Sequence, residues 1–531
     1  GSREEMERFL KPDARHLNDP FLMKDMDRAA QRVVQAIERR ESVLIYGDYD
    51  VDGVTATSIL FDFLRKTGLE PEFYIPDRTE EGYGISDAAV DAVCRSSYDL
   101  LITVDCGITA KEQAEAIKNR RIDAGTPLDI IITDHHQCHD ETLPQVYAIL
   151  NPHLPDCPYP FKYLCGAGIA LKLVQAVGMI IGKPEAYREY LDLAALATIA
   201  DIVDLTGENR VIASLGLKKI NSGCCLGIKA LMDTAGISDG AIDSRRVAFM
   251  LAPRVNAAGR MGDAKRAVRL FTTHDPNEAR SIAEELNRTN SLRQEVQDAI
   301  LSQAVQMIET DEAYKNSMVT VAWGEGWHHG VVGIVASKLV DRYHKPAFVF
   351  SVEDGIAVGS GRSIPGYNLF QCMASQGSLL VKFGGHEQAG GLTLAADSLP
   401  AFREGVNRHA ADNMPADALE PAMNIDCVLE PGDITVENAK LLGLLEPFGQ
   451  GNPAPVLMVK GVRISDIRLV GEGKHLRLRF ANGSRDVDAV FFGQGELERH
   501  LRVGDRLDIA FSMGTQVWQG VEYLRLRILD L

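Results

Sequence analysis

Short apolar runs alternate with longer helix-like stretches over the first half of the chain. The largely apolar runs 42–46, 100–104 and 129–133 are each followed by polar residues, and segments between them, such as 110–120, have a helical composition. Continuous apolar strands separated by helices are typical of βαβ units, in which a parallel sheet is buried on both faces. Open sheets of this kind bind ligands beyond the carboxyl ends of their strands. We therefore predict a parallel-sheet α/β domain over residues 41–275, with a functional site at that edge.

The rest of the chain divides into four further segments. The charged, mildly amphipathic residues 1–40 predict an N-terminal helical segment. Residues 276–316 are dominated by Glu, Gln, Arg, Ala and Leu and lack Gly, which favours one long connecting helix. We predict a smaller α/β domain over residues 317–413. Alternating short strands over residues 422–531 predict a C-terminal, OB-like β-barrel.

Composition limits where the protein works. The 531 residues are 45% hydrophobic and 24% charged. No apolar run approaches the ~20 residues that cross a bilayer, and the first residues lack the pattern of a signal peptide. The nine cysteines are scattered, include no Cys-x-x-Cys pair and suit a reducing compartment. We expect a cytoplasmic protein with no membrane partner.

Charge is unevenly distributed along the chain. The net charge of −18 argues by itself against a nucleic-acid partner. Residues 460–485, however, contain seven basic and two acidic side chains. A basic stripe is sufficient for salt-dependent binding of phosphates. Lys474, Arg477 and Arg479 in this stripe are therefore predicted to bind nucleic acid.

Acidic and histidine clusters follow the three apolar runs. They comprise Asp48, Asp50 and Asp52 after the first run, Asp105 after the second, and Asp134, His135 and His136 after the third. Carboxylates at this density repel one another unless a divalent cation neutralises them. A calcium loop of the EF-hand type would need Glu at the twelfth position, which holds Ile59. Asp and His without Cys suit Mn²⁺ or Mg²⁺. Taken singly, a solvated acidic turn accounts equally well for residues 48–53, and helix capping is the commoner role for an aspartate placed like Asp105. The combination of Asp134, His135 and His136 at a strand end is rarer.

Asp201 is a fourth candidate ligand. It follows the apolar residues 196–200, where an unpaired carboxylate would be unfavourable and a metal ion would compensate for it. Asp204 has less apolar neighbours and is the weaker candidate. Together the four clusters predict a two-metal phosphodiester hydrolase.

Glycine-rich segments in the second α/β region suggest contacts to phosphate. Residues 359–363 combine a flexible backbone with the hydroxyl of Ser360 and the guanidinium of Arg362. Residues 383–391 are predicted to form a glycine-rich turn that holds His386. His329 is expected to open a helix. Each of these features is common alone, but together they favour a phosphate-binding face.

These motifs resemble those of the DHH phosphoesterases. Residues 48–53, 104–107 and 134–136, with Asp201, are similar to the four motifs of that family, and residues 384–386 are similar to the signature of its associated DHHA1 domain. The resemblance extends through residues 253–260, 329–337 and 359–363, and so covers nearly the whole chain. Cys106 departs from the pattern, since relatives often carry Asn there, but it neighbours a ligand and is not one.

The resemblance implies roles for individual residues. Two ions, Mn²⁺ or Mg²⁺, would be bridged by Asp105, with Asp52, His135 and Asp201 on one ion and Asp48 and Asp50 on the other. The catalytic set would be Asp105, Asp134, His136, His329 and His386. Substrate would be bound by Arg254, Arg260, Ser360, Arg362, Gly384, Gly385 and His386.

The resemblance also implies a function. It predicts a monomeric 5′→3′ exonuclease that releases 5′-mononucleotides from single-stranded DNA in repair and recombination, with a single-strand-binding protein and a helicase as partners. Phe480, Phe491, Phe492 or Trp518 would stack on bases, unless they belong to the barrel core.

Two other functions stay open. A DHH phosphodiesterase for short oligonucleotides or cyclic dinucleotides would not need the basic β-module. An inactive scaffold that only holds single strands would not need every carboxylate.

Overall fold

The computed structural model describes residues 2–78, 81–82, 84–138, 143–237, 242–415, 417–482, 485–518 and 521–531, apart from the side chains of residues 313, 481, 482, 485, 517 and 518. The described chain packs into two compact units. The first comprises Gly1–Asn256, Asp263–Glu284 and Asn424–Leu531, and the second comprises Ala257–Gly262 and Glu285–Met423. The C-terminal module therefore packs in the same unit as the first α/β domain. The domain limits expected from composition stay a prediction.

The first unit contains a five-stranded parallel sheet. Its strands are β1 (Val43–Gly47), β2 (Glu72–Tyr74), β3 (Leu100–Val104), β4 (Asp129–Thr133) and β5 (Ala148–Leu150), in the order β2-β1-β3-β4-β5. Every pairing is parallel. All residues of β1 and β3 are buried, as expected for strands covered on both faces. The three apolar runs are thus confirmed as strands of a parallel sheet.

Helices cover and extend this sheet. They are α1 (Arg3–Leu10), α2 (Met26–Arg39), α3 (Val51–Lys66), α4 (Asp87–Arg95), α5 (Lys111–Asp123), α6 (Gly166–Ile180), α7 (Leu191–Ala200), α8 (Gly207–Ser222), α9 (Leu226–Thr234), α10 (Ser244–Arg246), α11 (Ala252–Met261) and α12 (Lys265–Thr272), with a π-helical turn at Val247–Leu251. Helix α3 begins at Val51 because Asp50 caps it, so Asp52 lies in the first turn of the helix.

A helix of 35 residues follows, α13 (Pro276–Thr310), and then the short α14 (Glu312–Lys315). The long helix confirms the prediction from composition. At 1.5 Å per residue it is about 50 Å long.

The second unit is built on a mixed sheet. Its elements are β6 (Thr320–Glu325), α15 (His329–Tyr343), β7 (Ala347–Glu353), β8 (Ile356–Arg362), α16 (Leu369–Ser375), β9 (Leu380–Gly385), β10 (Ala389–Ala395) and α17 (Leu399–Asn413). The strand order is β6-β7-β8-β10-β9, and only β6 and β7 pair in parallel. Apolar cores lie around Phe348 and Phe350 and around Val331 and Val335.

Two glycine-rich segments of this unit are strands, which corrects the prediction of flexible phosphate-binding turns. Residues 359–362 belong to β8 and pair with both β7 and β10. Gly359 and Gly361 are required for packing, because a Cβ there would lie 2.2 Å from the Phe350 ring or 2.5 Å from the Phe348 ring. Gly384 and Gly385 end β9, so that only residues 386–388 form the turn to β10.

The C-terminal module is a closed five-stranded barrel with one added strand. Its elements are β11 (Cys427–Leu429), α18 (Val436–Gly443), β12 (Leu457–Val470), β13 (His475–Asn482), β14 (Arg485–Phe491), β15 (Arg506–Trp518) and β16 (Val521–Asp530). The sheet order is β11-β12-β13-β14-β16-β15, and β15 pairs back with β12 to close the barrel. This confirms the OB-like prediction.

The helices and the cysteines bear on the expectations about membranes and disulfides. Within the described ranges, no single helix is long and apolar enough to cross a membrane, and the one pair that would pass together, α8 with α9, is bent by 74°. All nine cysteines are free thiols.

Candidate metal centre

Asp48 and Asp50 lie in the connection between β1 and α3, and Asp52 lies in the first turn of α3. Asp48 directly follows β1 and is buried. Asp50 caps α3, and its Oδ1 accepts a hydrogen bond from the amide of Gly53 at 3.0 Å. Both oxygens of Asp52 accept hydrogen bonds from the first two amides of α6. The positive end of that helix dipole stabilises a carboxylate at this position.

Asp105 follows β3 and has an unusual backbone. Its φ of 59° lies in the left-handed region, which Asp tolerates better than most residues. The side chain is buried, and its Oδ1 makes no hydrogen bond with the described residues. Gly166 packs against it so closely that a Cβ there would lie 2.6 Å from the Asp105 Cβ. A buried carboxylate oxygen in this position is unfavourable unless something from outside the chain binds it.

Asp134, which follows β4, is satisfied entirely by the protein. Its Oδ1 accepts hydrogen bonds from the amides of His135 and His136 and lies 2.7 Å from Nδ1 of His136. Its Oδ2 accepts a hydrogen bond from the amide of Ile108 at 2.9 Å. Burial raises the pKa of Asp134, but these hydrogen bonds outweigh burial and leave the pKa below its ordinary value. These contacts suit Asp134 to hold His136 and the backbone of both histidines in place, and its catalytic role stays a prediction.

His135 lies among three carboxylates. Its Nε2 is 3.1 Å from Oδ1 of Asp105 without forming a hydrogen bond, and 3.7 Å from an oxygen of Asp52 and of Asp201. Burial lowers the pKa of His135, so the ring favours its neutral form. A neutral imidazole surrounded by carboxylate oxygens is suited to share a cation with them.

The ligand atoms form overlapping groups in which all members lie within 4.8 Å of one another. The groups are Asp52, His135 and Asp201; Asp48, Asp50 and Asp105; and Asp105, His135 and His136. The first two have the composition of the two ion shells that the family resemblance implies, and Asp105 belongs to two of the three groups. Asp204 is in none of them.

The electrostatics of the cluster favour a cation. Burial, and then the charge of Asp50, raises the pKa of Asp48 to about 8. Burial and the neighbouring carboxylates also raise the pKa of Asp105 and of Asp201 well above the ordinary value. Several of these groups therefore resist ionisation together, and a divalent cation would remove that resistance.

The predicted phosphate contacts of the second unit converge in part. Nη1 of Arg362 donates hydrogen bonds to Oγ of Ser360 at 2.8 Å and to the carbonyl of Gly361. A Cβ on Gly333 of α15 would lie 3.1 Å from Ser360 Oγ, so the start of α15 packs beside this pair. His329 is the first residue of α15 and its ring stacks on that of His328.

The other predicted contacts are distributed over the start of α15, the β9–β10 hairpin and the first unit. Nη1 of Arg260 donates a hydrogen bond to the carbonyl of Gly330 at 3.0 Å and so joins α11 to α15. Gly384, Gly385 and His386 are exposed at the β9–β10 hairpin. Arg254 belongs to the first unit, where Nη1 donates to the carbonyl of Met250 and burial lowers the pKa of the guanidinium.

The predicted basic stripe on the barrel is partly neutralised. Arg477 and Arg479 of β13 both form ion pairs with Asp488 of β14, at 3.0 and 3.3 Å. Lys474 is 3.5 Å from Glu472. Asp488 lies just beyond the sequence window that defined the stripe, and the pairing of β13 with β14 brings it opposite.

The barrel aromatics separate into core and surface. Phe480 is fully buried and Phe491 nearly so, whereas Phe492 is 41% exposed. The guanidinium of Arg527 lies 5.8 Å from the Phe492 ring, and His475 packs against its edge. Among the four predicted stacking residues, Phe492 is therefore the exposed one of the three whose side chains the structure describes, and the side chain of Trp518 lies outside the described residues.

One contact near the metal centre was missed from sequence. Oδ1 of Asn256 accepts a hydrogen bond from the amide of Val51 at 3.1 Å and so fixes the start of α3. Its sequence signal was its place in the segment 253–260.

Fold and site together define a DHH phosphoesterase. The N-terminal domain of the DHH family matches residues 42–198, the DHHA1 domain matches residues 315–412, and the RecJ OB domain matches residues 425–530. The class indicated by the sequence motifs is therefore confirmed.

Individual relatives narrow this class. The single-stranded-DNA-specific exonuclease RecJ of Bacillus subtilis is 41% identical over 98% of this chain and 65% of its own length. The RecJ protein of Dickeya dadantii is 32% identical over 99% of this chain and 92% of its own length. This chain belongs to the RecJ family of single-stranded-DNA-specific exonucleases. It spans slightly less than two thirds of the Bacillus subtilis protein.

Solved structures agree with this placement. RecJ from Thermus thermophilus in complex with Mn²⁺ matches with a TM-score of 0.82 at 30% identity, over 99% of this chain and 73% of that one. The same protein in complex with Mg²⁺ gives a TM-score of 0.77 at 29% identity, over 99% and 72% of the two chains.

Proposed function

We propose that this protein is a 5′→3′ exonuclease that hydrolyses phosphodiester bonds of single-stranded DNA with two divalent cations, Mn²⁺ or Mg²⁺, and releases 5′-mononucleotides. Membership of the RecJ family supports the substrate class. The observation that carries the proposal is the pair of buried carboxylate oxygens, Oδ1 of Asp48 and Oδ1 of Asp105, which make no hydrogen bond with the described residues.

The residues present fit two hard divalent cations. Asp52, His135 and Asp201 would hold one ion, and Asp48 and Asp50 the other, with Asp105 between them; this assignment is part of the proposal. The donors are oxygen and imidazole nitrogen without thiolate, as Mn²⁺ and Mg²⁺ prefer. When bound, such ions activate water and stabilise negative charge at phosphorus.

Residues around the cations would orient the groups that contact the scissile phosphate. Asp134 fixes the ring of His136 and the backbone of both histidines. Burial lowers the pKa of His136, but the hydrogen bond with Asp134 outweighs burial and raises it. The side chain of His136 is 42% exposed, so we propose that it donates to the phosphate as a partly cationic group.

The direction of digestion would depend on recognition of the 5′ end. We propose that Ser360 and Arg362 bind a terminal phosphate with the amides at the start of α15, since an arginine fork and a helix N-terminus both favour phosphate. Arg254, Arg260, His329 and the hairpin residues Gly384, Gly385 and His386 stay predictions as further substrate contacts. Lys474, Arg477, Arg479 and Phe492 would track the strand on the barrel.

The cellular setting belongs to the same proposal. A cytoplasmic location, action in repair and recombination, a monomeric state, and partnership with a single-strand-binding protein and a helicase are inferred from the family resemblance alone.

Digestion of end-labelled strands tests the proposal. DNA and RNA oligonucleotides labelled at the 5′ or the 3′ end are incubated with Mn²⁺ or Mg²⁺. We expect immediate release of labelled mononucleotide from the 5′ end of single-stranded DNA, and its loss in Asp105→Ala and His135→Ala variants that retain wild-type circular dichroism. Wild-type rates in those variants would refute the site. Cleavage of dinucleotides alone would favour the small-substrate phosphodiesterase, and binding without any cleavage the scaffold.

A further inference from the structure

A buried arginine connects the first α/β domain to the segment that precedes β12. Arg210 of α8 is 2% exposed, and its guanidinium donates to the carbonyls of Leu445 and Glu446, each at 2.8 Å. Nε donates to the carbonyl of Phe9, whose ring lies 3.8 Å from the guanidinium carbon. Burial lowers the pKa of Arg210 to about 10. A buried cation that is satisfied by a fan of carbonyls fixes the backbone that supplies them.

The segment 444–452 has a defined shape of its own. Nδ2 of Asn452 donates to the carbonyls of Leu445 and Pro447, both at 2.9 Å. Oγ of Ser244 donates to the carbonyl of Phe448 at 2.6 Å. The segment is therefore docked largely through its backbone carbonyls.

The same segment contacts the loop that follows Asp201, the proposed metal ligand. The amide of Leu205 donates to the carbonyl of Gln450 at 2.7 Å. Gly451 has a φ of 69°, and a Cβ there would lie 2.8 Å from the Cβ of Asp204. Only three residues separate Asp201 from Leu205, so these contacts lie within four residues of the Asp201 carboxylate along the chain.

We infer that the 444–452 segment is a positioning element for Asp201, so that the C-terminal module shapes one of the two cation sites in addition to binding DNA. The inference rests on the proposed function, because it assumes that Asp201 is a metal ligand. Residues that orient a metal ligand without touching the metal change its affinity by about 10–100-fold when they are altered. The expected effect is confined to the group Asp52, His135 and Asp201, because the hydrogen bonds of the segment described above lead to the loop after Asp201 and not to Asp48 or Asp50.

A pair of glycine substitutions isolates the contact. Gly451→Ala introduces both a left-handed alanine and an overlap with Asp204. Gly461→Ala, in the same module, introduces a left-handed alanine at φ 61° with no atom within 4 Å of the new Cβ. The backbone penalty is therefore matched, and only the contact differs.

Binding of Mn²⁺ alone, followed by the electron paramagnetic resonance signal of the free ion, supplies the readout on the full-length chain. We expect the wild type and Gly461→Ala to bind two ions alike. In Gly451→Ala we expect one ion to bind about tenfold more weakly and the other unchanged, and activity to be restored by excess Mn²⁺. A merely destabilised chain would weaken both sites together or neither.

A second pair keeps the inference testable if Gly451→Ala does not fold. Arg210→Lys keeps the charge but loses the fan of donors, and should weaken the same single ion. Arg121→Lys is its control, because Arg121 is also buried and donates to the carbonyls of Ser96 and Tyr98, before β3 begins. Two wild-type Mn²⁺ affinities in both Gly451→Ala and Arg210→Lys would overturn the inference. Failure of the wild type itself to bind Mn²⁺ would instead overturn the proposed function.

Discussion

When divalent cations are removed by a chelator, the free energy of unfolding of this protein should decrease as pH rises from 6 to 8. The expected decrease is caused by the buried carboxylates that follow β1 and β3. Asp48 is 5% exposed and its pKa in the folded chain is about 8, against 3.8 for an ordinary aspartate. The folded chain therefore holds a proton that the unfolded chain has already released.

The direction and the magnitude of this stability change follow from proton linkage. A carboxyl group with a raised pKa in the folded state destabilises the fold progressively as pH rises from its unfolded pKa to its folded pKa. One pKa unit corresponds to about 1.4 kcal/mol, so the change from pH 6 to pH 8 reduces the free energy of unfolding by about 2 kcal/mol for Asp48 alone. The raised pKa values of Asp105 and Asp201 act in the same direction. Bound Mn²⁺ replaces the proton as the neutralising charge and should abolish the decrease.

Thermal unfolding at pH 6 and pH 8, with either chelator or Mn²⁺, measures the effect. With chelator, Tm should be lower at pH 8 by a few degrees, and the increase caused by Mn²⁺ should be larger at pH 8 than at pH 6. Asp48→Asn should raise Tm at pH 8 in chelator although it removes a ligand, because it relieves repulsion with Asp50. Equal stability of the chelated wild type at both pH values would refute the reasoning, as would an Asp48→Asn variant less stable than wild type in chelator.

Two further predictions concern ion pairs away from the metal centre. Glu208 accepts hydrogen bonds from Lys172, Tyr159 and Asn18, and both side chains of its ion pair with Lys172 are only 1% exposed. Glu208→Leu leaves Lys172 buried without its partner and should lower the free energy of unfolding, measured by urea titration, by about 3–5 kcal/mol. The Lys172→Met/Glu208→Leu double variant removes both charges and should lose less, so an equal loss in the two variants would contradict this prediction. On the barrel, Asp488→Asn should release Arg477 and Arg479 from their ion pairs so that they can bind phosphate. Fluorescence anisotropy should then show tighter binding of single-stranded DNA with a steeper salt dependence. Weaker binding would instead show that Asp488 holds the two guanidinium groups in the positions that bind DNA.

Local patterns were sufficient to predict most of the fold and the metal cluster. The three strands of the first domain are buried on both faces, so their apolar runs were continuous and their carboxyl ends were visible as the points where Asp48, Asp105 and Asp134 begin. The 35-residue helix was equally visible, because helix propensity accumulates along an uninterrupted stretch.

Contacts between distant parts of the chain could not be read in this way. Gly359 and Gly361 appeared to provide loop flexibility, but they are strand residues that make room for aromatic rings on the neighbouring strand. The basic stripe appeared free because Asp488 becomes its neighbour only through the register of β13 with β14. In both cases the residue types were recognised and their partners were not.

The residues of the metal cluster could likewise be predicted from sequence, whereas the residues that position them could not. A carboxylate ligand is recognisable by its chemistry, since several acidic residues at the ends of buried apolar strands would repel one another without a cation. The groups that position it have no such mark: Asn256 acts on α3 across 205 residues, and Arg210 acts on the 444–452 segment across 234 to 237 residues. Both act through backbone atoms, which any sequence provides. The residues that cluster at such a site are therefore predictable from one sequence, whereas the contacts that hold them in place are long-range and require the structure.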